Sequence, residues 1–208
     1  LSLKLEIEGN DMSALEDLKQ HLKQGEVYRR ADLEAWSSAV DRHLKQLVED
    51  GSLVKLSGGL YLCPKITSFG VAPADDETLI RAFLKDHRFM LTSPNLYNSL
   101  GLGTTQLYNE TVVYNHKRHG VFKLGGRKFR FAMKPYFPSK PTEEFLLVDA
   151  VNNLAQLAED SELVLKQVSK KAAQMDKGKI ANAVLEYGGV KAKKFFAKLL
   201  SDAKLNYA

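Results

Sequence analysis

Between Ser38 and Asp50 the apolar residues Val40, Leu44, Leu47 and Val48 are spaced by four, three and one. That spacing lays them along one side of a helix, with Ser38, Asp41, Arg42, Lys45 and Glu49 on the other. Ser37 or Ser38 can cap the start, and Gly51 can close the end. Two short apolar runs follow, "SLVKLS" and "LYLCP", joined through Gly58-Gly59 as a hairpin. Upstream, a helix is expected over about 12–23, capped by Asp11 or Ser13 and stopped at Gly25, then a short helix over about 29–35.

Beyond residue 70 the pattern changes twice. "DDETLIRAFLKDH" reads as an amphipathic helix with acids in its first turn, "RFMLTS" as a strand and "PNLYNSLG" as a short helix. "TVVYN", "GVFKLG" and "RKFRFAMK" read as three strands, the last two joined at Gly125-Gly126. In the third, Phe129, Phe131 and Met133 fall on one face, and Lys128, Arg130, Ala132 and Lys134 on the other. Pro135, Pro138 and Pro141 then stop the strand, and four helical stretches follow over about 142–158, 161–175, 178–187 and 190–203. In the last, Ala192, Phe195, Phe196, Leu199, Leu200 and Ala203 form an apolar stripe, expected to be tail core.

Three segments result: 1–70, 71–141 and 142–208, the last either separate or packed with the second. The fold class expected is α+β: an N-terminal winged helix-turn-helix, a middle α/β region with a small, mostly antiparallel sheet, and a helical C-terminal segment.

Composition narrows the function classes. The 208 residues are 44% hydrophobic and carry net +5, with a pI near 9.1. Residues 71–141 hold 11 Lys/Arg against 5 Asp/Glu, whereas residues 1–70 hold 9 against 11. The positive excess therefore lies in the middle. Between Glu110 and Glu143 there is no acid at all, while Lys117, Arg118, Lys123, Arg127, Lys128, Arg130 and Lys134 accumulate. An unrelieved basic sheet face suits a polyanion, because like charges on neighbouring strands repel. The lone Cys63 rules out an internal disulfide and a cysteine-based zinc site, and its apolar surroundings suggest a buried residue. No apolar run is long enough to span a bilayer, and the first twelve residues lack the apolar core of a secretory signal. A cytoplasmic protein without membrane partner is expected.

Helix, helix, turn, helix and glycine-tipped hairpin make the order of a winged helix-turn-helix, which sets its last helix in the major groove and its hairpin beside the backbone. The candidate DNA-contacting residues are Arg29 and Arg30 on phosphates; Ser37, Ser38, Asp41, Arg42 and Lys45 on the groove; Lys55, Ser57, Gly58 and Gly59 in the wing. Lys117, Arg118, Arg127, Lys128 and Arg130 form a second backbone contact. "GEVYRRADL", "LVEDGSLVKL", "GGLYLCPK", "FMLTSPNLYNSLGLGTTQLYNETVVY" and "KLGGRKFRF" together resemble the AbiEi-type antitoxins of type IV (abortive infection) toxin–antitoxin systems. The resemblance covers roughly residues 20 to 135. It implies a DNA-binding winged domain that represses its own operon, and a C-terminal part that counteracts a nucleotidyltransferase-like toxin without requiring a stable complex. Such wings often carry arginine; this one has Lys55 beside "SGG".

Other chemistry finds little footing. His116 and His119 flank a turn with no Cys or carboxylate to complete a metal set. "GLGTTQ" lacks the Lys-Ser/Thr ending of a phosphate loop and reads as a turn. Asp75, Asp76 and Glu77 suit a helix N-terminus better than a metal site. The expectation is a non-enzyme without cofactor. The alternative class is a non-catalytic adaptor meeting RNA or an acidic protein through the basic sheet face.

Overall fold

The computed structural model describes residues 14–102 and 107–205, with side chains as far as residue 201. The expected caps Asp11 and Ser13, the start of the first helix, and Gly103 to Gln106 of the "GLGTTQ" turn lie outside the described residues. The contacts divide the chain into two compact units. One runs to His87 and adds Phe122–Lys128; the other comprises Arg88–Val121 and the residues from Phe129 onward. This division by contacts falls at residue 87, where the sequence reading set segment boundaries at 70 and 141, and it counts the helical tail with most of the middle segment.

In the first unit, α1 (residues 14–20) precedes β1 (Val27–Arg29), α2 (Arg30–Leu33), a 3-10 turn (Glu34–Trp36) and α3 (Val40–Glu49). The hairpin β2 (Val54–Ser57) and β3 (Leu60–Leu62) follows. The sheet order is β1-β3-β2, both pairs antiparallel, with Tyr61 facing Tyr28 on one side and Lys55 on the other. Leu15, Leu18, Leu33, Leu44, Leu47, Leu53 and Cys63 meet beneath it in one core. Each large side chain so buried stabilises the fold by about 1.5–3 kcal/mol relative to exposure.

Strand β1 departs from the sequence expectation, which gave Arg29 to a helix. Three residues are too few to show alternation; pairing with β3 makes them a strand. A second hairpin, β4 (Lys65–Thr67) and β5 (Gly70–Ala72), also forms where only a break was expected, and leaves Phe69 fully exposed. Helix α4 (Asp76–Leu84) follows, capped by Asp75, whose carboxylate accepts from the Thr78 amide at 2.8 Å. The acids at 75–77 do serve a helix start.

Strands β6 (Phe89–Thr92), β7 (Thr111–Asn115), β8 (Gly120–Leu124) and β9 (Arg127–Met133) form a four-stranded sheet of order β6-β7-β9-β8, with a 3-10 helix (Pro94–Leu100) after β6; Phe122–Lys128 count with the first unit and the rest with the second. Strands β6 and β7 are antiparallel, β7 and β9 parallel. Gly125 and Gly126 turn between β8 and β9 with φ of +54° and +81°, a pair of left-handed conformations suited to a two-residue hairpin. Helices α5 (Glu143–Asn152), α6 (Ser161–Ala172), α7 (Lys177–Tyr187) and α8 (Val190–Leu205) complete the unit.

Those helices cover one face of the sheet. Met90, Val112 and Tyr114 join Phe145, Leu147, Val168, Ile180, Ala192 and Phe196 in a single core, with Ala132 packed against it. The alternate face of β9, read from sequence as a basic surface, is only partly open: Ala132 packs against this core, Arg130 and Lys134 are half-buried beside it, and Lys128 is exposed. Helix α5 explains this. Seven consecutive residues, Phe145 to Val151, are buried, so it sits centrally with no outward stripe.

Phe145 packs edge-on against Tyr114 at 6.3 Å and Tyr187 at 5.3 Å. Phe145→Ala is expected to lower unfolding free energy by about 3–5 kcal/mol, read as a fall in the urea midpoint without change in slope.

Candidate nucleic-acid interface and a polar cavity

Helix α3 buries Val40, His43, Leu44 and Leu47, the i, i+3, i+4, i+7 positions of one face. His43 takes the place expected for Val48, which is 37% exposed. A buried histidine needs a partner, and His43 Nδ1 lies 2.8 Å from Ser37 Oγ. Ser37 Oγ also accepts from the Ala39 amide at 3.2 Å. Ser37, proposed from sequence as a groove contact, is thus corrected to a buried support of the helix start.

The opposite face of α3 stays in solvent: Ser38, Asp41, Arg42, Lys45 and Glu49 are all exposed. Arg30, at the start of α2, reaches it. Its Nε and Nη2 donate to the two Asp41 carboxylate oxygens at 2.6 Å each, and its Nη1 pairs with Glu34. The guanidinium holds the Asp41 carboxyl below the usual carboxylate range. Asp41 is so presented with its charge already balanced. Arg29 pairs with Asp32 and lines a cleft with Thr78, Arg81 and Lys85, so it serves α2 and that cleft instead of the α3 face.

At the hairpin tip, Gly59 has φ +72°, and its carbonyl accepts from the Arg30 amide at 2.9 Å. One residue therefore ties the tip to α2 through its backbone and to α3 through its side chain. Lys55 and Gly58 are exposed and Ser57 half-buried. The carbonyl of Leu56 accepts from the Gly125 amide at 3.1 Å, which caps part of the outer edge of β2.

The basic run divides. Arg127 bonds Asp76 at 2.5 Å and the Ala74 carbonyl at 2.6 Å, within the first unit, where Lys128 is exposed. In the second unit Lys117 and Arg118 stand exposed on the turn after β7, their amides held by Asn115 Oδ1 at 2.8 and 2.7 Å. Arg130 Nε donates to Glu110 Oε2 at 3.0 Å, and Lys134 Nζ to Asp149 Oδ1 at 2.9 Å. The one-sign sheet face inferred from the acid-free interval is therefore relieved by acids distant in sequence: Asp76, Glu110 and Asp149.

Asp149 lies at the centre of a network that no sequence pattern announced. It is fully buried on α5. Tyr97 and Tyr114 both donate to Oδ2 at 2.8 Å, and Lys134 donates to Oδ1 from above the Tyr114 ring, 4.2 Å from its centroid. Asn153 Nδ2 donates in turn to the Tyr97 and Tyr114 hydroxyls at 3.1 and 3.0 Å. Burial, reinforced by the Asp149 charge, pushes both phenols well above their ordinary range. The one trace in sequence is the acid within "FLLVDAV". Beside this network opens a cavity of about 160 Å³, lined by Thr92, Tyr97, Tyr114, Glu110, Arg130 and Asn153 among others.

Among the described residues no group of three or more His, Cys, Asp or Glu is placed to hold a metal ion, and His116 stacks on Phe137 at 4.7 Å. No described helix is long and apolar enough to cross a membrane.

No family model matches the chain, and no curated protein matches it. A solved structure does: the RV2827C protein from Mycobacterium tuberculosis, with a TM-score of 0.54 and 16% identity over 90% of this chain and 74% of that one. At that identity the likeness is one of fold.

The tyrosines give a pH test. The folded state holds both phenolic protons at pH values where the unfolded chain, with pKa about 10, releases them. Their contribution to stability is complete below about pH 10 and is lost as pH rises beyond it. In ultraviolet titration two phenols should stay silent until the protein unfolds, and Tyr114→Phe should leave one fewer. Asp149→Ala, which strands Lys134 and two hydroxyls, is expected to cost about 3–5 kcal/mol in a denaturant melt.

Proposed function

We propose that this protein is a sequence-specific DNA-binding autorepressor with antitoxin activity against a cognate nucleotidyltransferase-like toxin. The observation that carries the DNA-binding part is the exposed polar face of α3 beside a glycine-tipped hairpin. The order of helices α1 to α3 and the β1-β3-β2 sheet supports reading this unit as a winged helix-turn-helix, in which α3 would be the recognition helix. Ser38, Arg42 and Lys45 face outward where base edges would lie. Lys55 and the Gly58–Gly59 tip stand where a flanking phosphate would be met. The fork of Arg30 on Asp41 removes the repulsion an unpaired carboxylate would exert on the backbone, and fixes its oxygens as acceptors for a cytosine amino group.

The antitoxin part rests on the resemblance of residues 20 to 135 to AbiEi-type antitoxins. The adaptor reading has less support, since its basic sheet face is partly packed under helices and met by carboxylates.

A gel-shift on the DNA upstream of the protein's own gene, at low salt and against random duplex, tests the proposal. Arg42→Ala and Lys45→Ala should each weaken specific binding by roughly tenfold or more if they meet base edges. Lys55→Ala should lower affinity for all duplexes and reduce the salt slope by about one. Equal affinity for operator and random duplex would overturn the reading. For the antitoxin part, co-expression with the adjacent toxin should restore growth, and failure to do so removes that part alone.

A further inference from the structure

The cavity of the second unit has the features of a ligand site, and it lies outside the DNA-binding proposal. It sits on the helix-covered face of the sheet, beneath the 3-10 helix at Pro94–Leu100. At about 160 Å³ it matches the size of cavities that admit a benzene-sized molecule, about ten non-hydrogen atoms at most. Unlike a packing defect, it is polar. Thr92, on β6, is 6% exposed, and its Oγ1 is buried and meets no hydrogen-bond partner among the described residues. Leaving a hydroxyl so costs stability that a valine of the same shape would not. Arg130, on β9, bonds Glu110 through Nε alone among the described residues, leaving both terminal nitrogens of its fork without a partner.

Several polar groups of this cavity are already committed. The Tyr97 and Tyr114 hydroxyls are spent on Asp149, and the Asn153 amino group is spent on them. Ser93 Oγ accepts from the Asn95 amide at 3.3 Å, so its proton faces outward from that bond. What remains is the outer edge of the Arg130 fork and the Thr92 and Ser93 hydroxyls, with the Glu110 carboxylate turned onto Arg130 Nε and the Gln156 amide beside them, against apolar surface from tyrosine rings and Pro94. A fork with two parallel N–H groups fits a carboxylate or a phosphate in bidentate fashion.

We propose that this cavity binds a small oxyanion-bearing molecule, its carboxylate or phosphate oxygens held by Arg130 and Thr92 and its body against Tyr97 and Tyr114. Glu110 positions the fork through Nε and leaves the outer nitrogens for the ligand. The Asp149 network is the rigid floor: it fixes both tyrosines and consumes their hydroxyls, so that the anion is selected by Arg130.

The experiment uses the full chain and a defined set of probes: benzoate, pyruvate and inorganic phosphate, with benzamide as the neutral match for benzoate. Thermal shift and isothermal titration are read at concentrations up to about 10 mM, tenfold above a millimolar dissociation constant. Benzoate or pyruvate should raise the melting temperature and benzamide should not; a response to phosphate alone assigns the site to phosphoryl groups. Arg130→Gln should weaken the responding probe by at least about tenfold, the scale of a charge-assisted hydrogen bond. Thr92→Val should keep or raise intrinsic stability while weakening the probe by roughly threefold or more. A benzamide response equal to benzoate, no response to any probe, or binding unaltered in Arg130→Gln overturns the proposal.

Discussion

A carboxylate with no access to water must have its charge and hydrogen bonds satisfied by the fold, and Asp149 is met from three directions by one cation and two hydroxyl donors. Lys134 comes from the end of β9, Tyr97 from the 3-10 helix and Tyr114 from β7, all converging on α5. Those elements are separated by 15 to 52 residues, so the network can close only when sheet and helices have docked. Taking one charge out of water is expensive, and a buried pair is often no more stabilising than apolar packing. What the arrangement gives is uniqueness of position. With both Asp149 oxygens occupied, α5 has one register against the sheet, and the tyrosines one orientation at the cavity wall.

The same economy of charge shapes the first unit. Arg30 is attached to the hairpin tip by its amide, to Asp41 by two nitrogens of its fork and to Glu34 by the third. A single residue thereby couples the wing, α2 and the exposed face of α3. Its charge is consumed locally, so in the proposed DNA binding its part would be to set the attitude of other groups, with Arg42 and Lys45 on the exposed face of α3. Arginine suits this role because its planar fork fixes the relative position of what it bridges, where an ammonium would not.

Element types were readable almost throughout, because the signals were local. Gly58-Gly59 and Gly125-Gly126 mark hairpins, Asp75 to Glu77 mark a helix start, and the apolar stripe from Ala192 to Ala203 gives α8. The failures share one cause. Strand β1 exists through its pairing with β3, and His43 is buried because Ser37 is there to bond it. The counter-charges of Arg127, Arg130 and Lys134 come from residues 15 to 51 positions away. An acid-free interval in sequence says nothing of acids brought to it in space, and this is why a partly packed sheet face read as an open basic one.

That correction redistributes the protein's positive charge and so separates its chemistries. Of the cations once assigned to a single DNA-facing surface, Arg127 braces the hairpin tip at Asp76, Lys134 neutralises Asp149 and Arg130 turns to a cavity. Lys55 and Lys128 have no ion-pair partner among the described residues, which suits them to phosphates. Binding through few such contacts depends less steeply on salt than the basic run of the sequence implies, since each phosphate neutralised contributes about one unit of slope. Under the proposed function, discrimination would rest on the α3 face, where the Arg30 fork already balances the Asp41 charge. An anion at Arg130 would not compete with a duplex for the same residues.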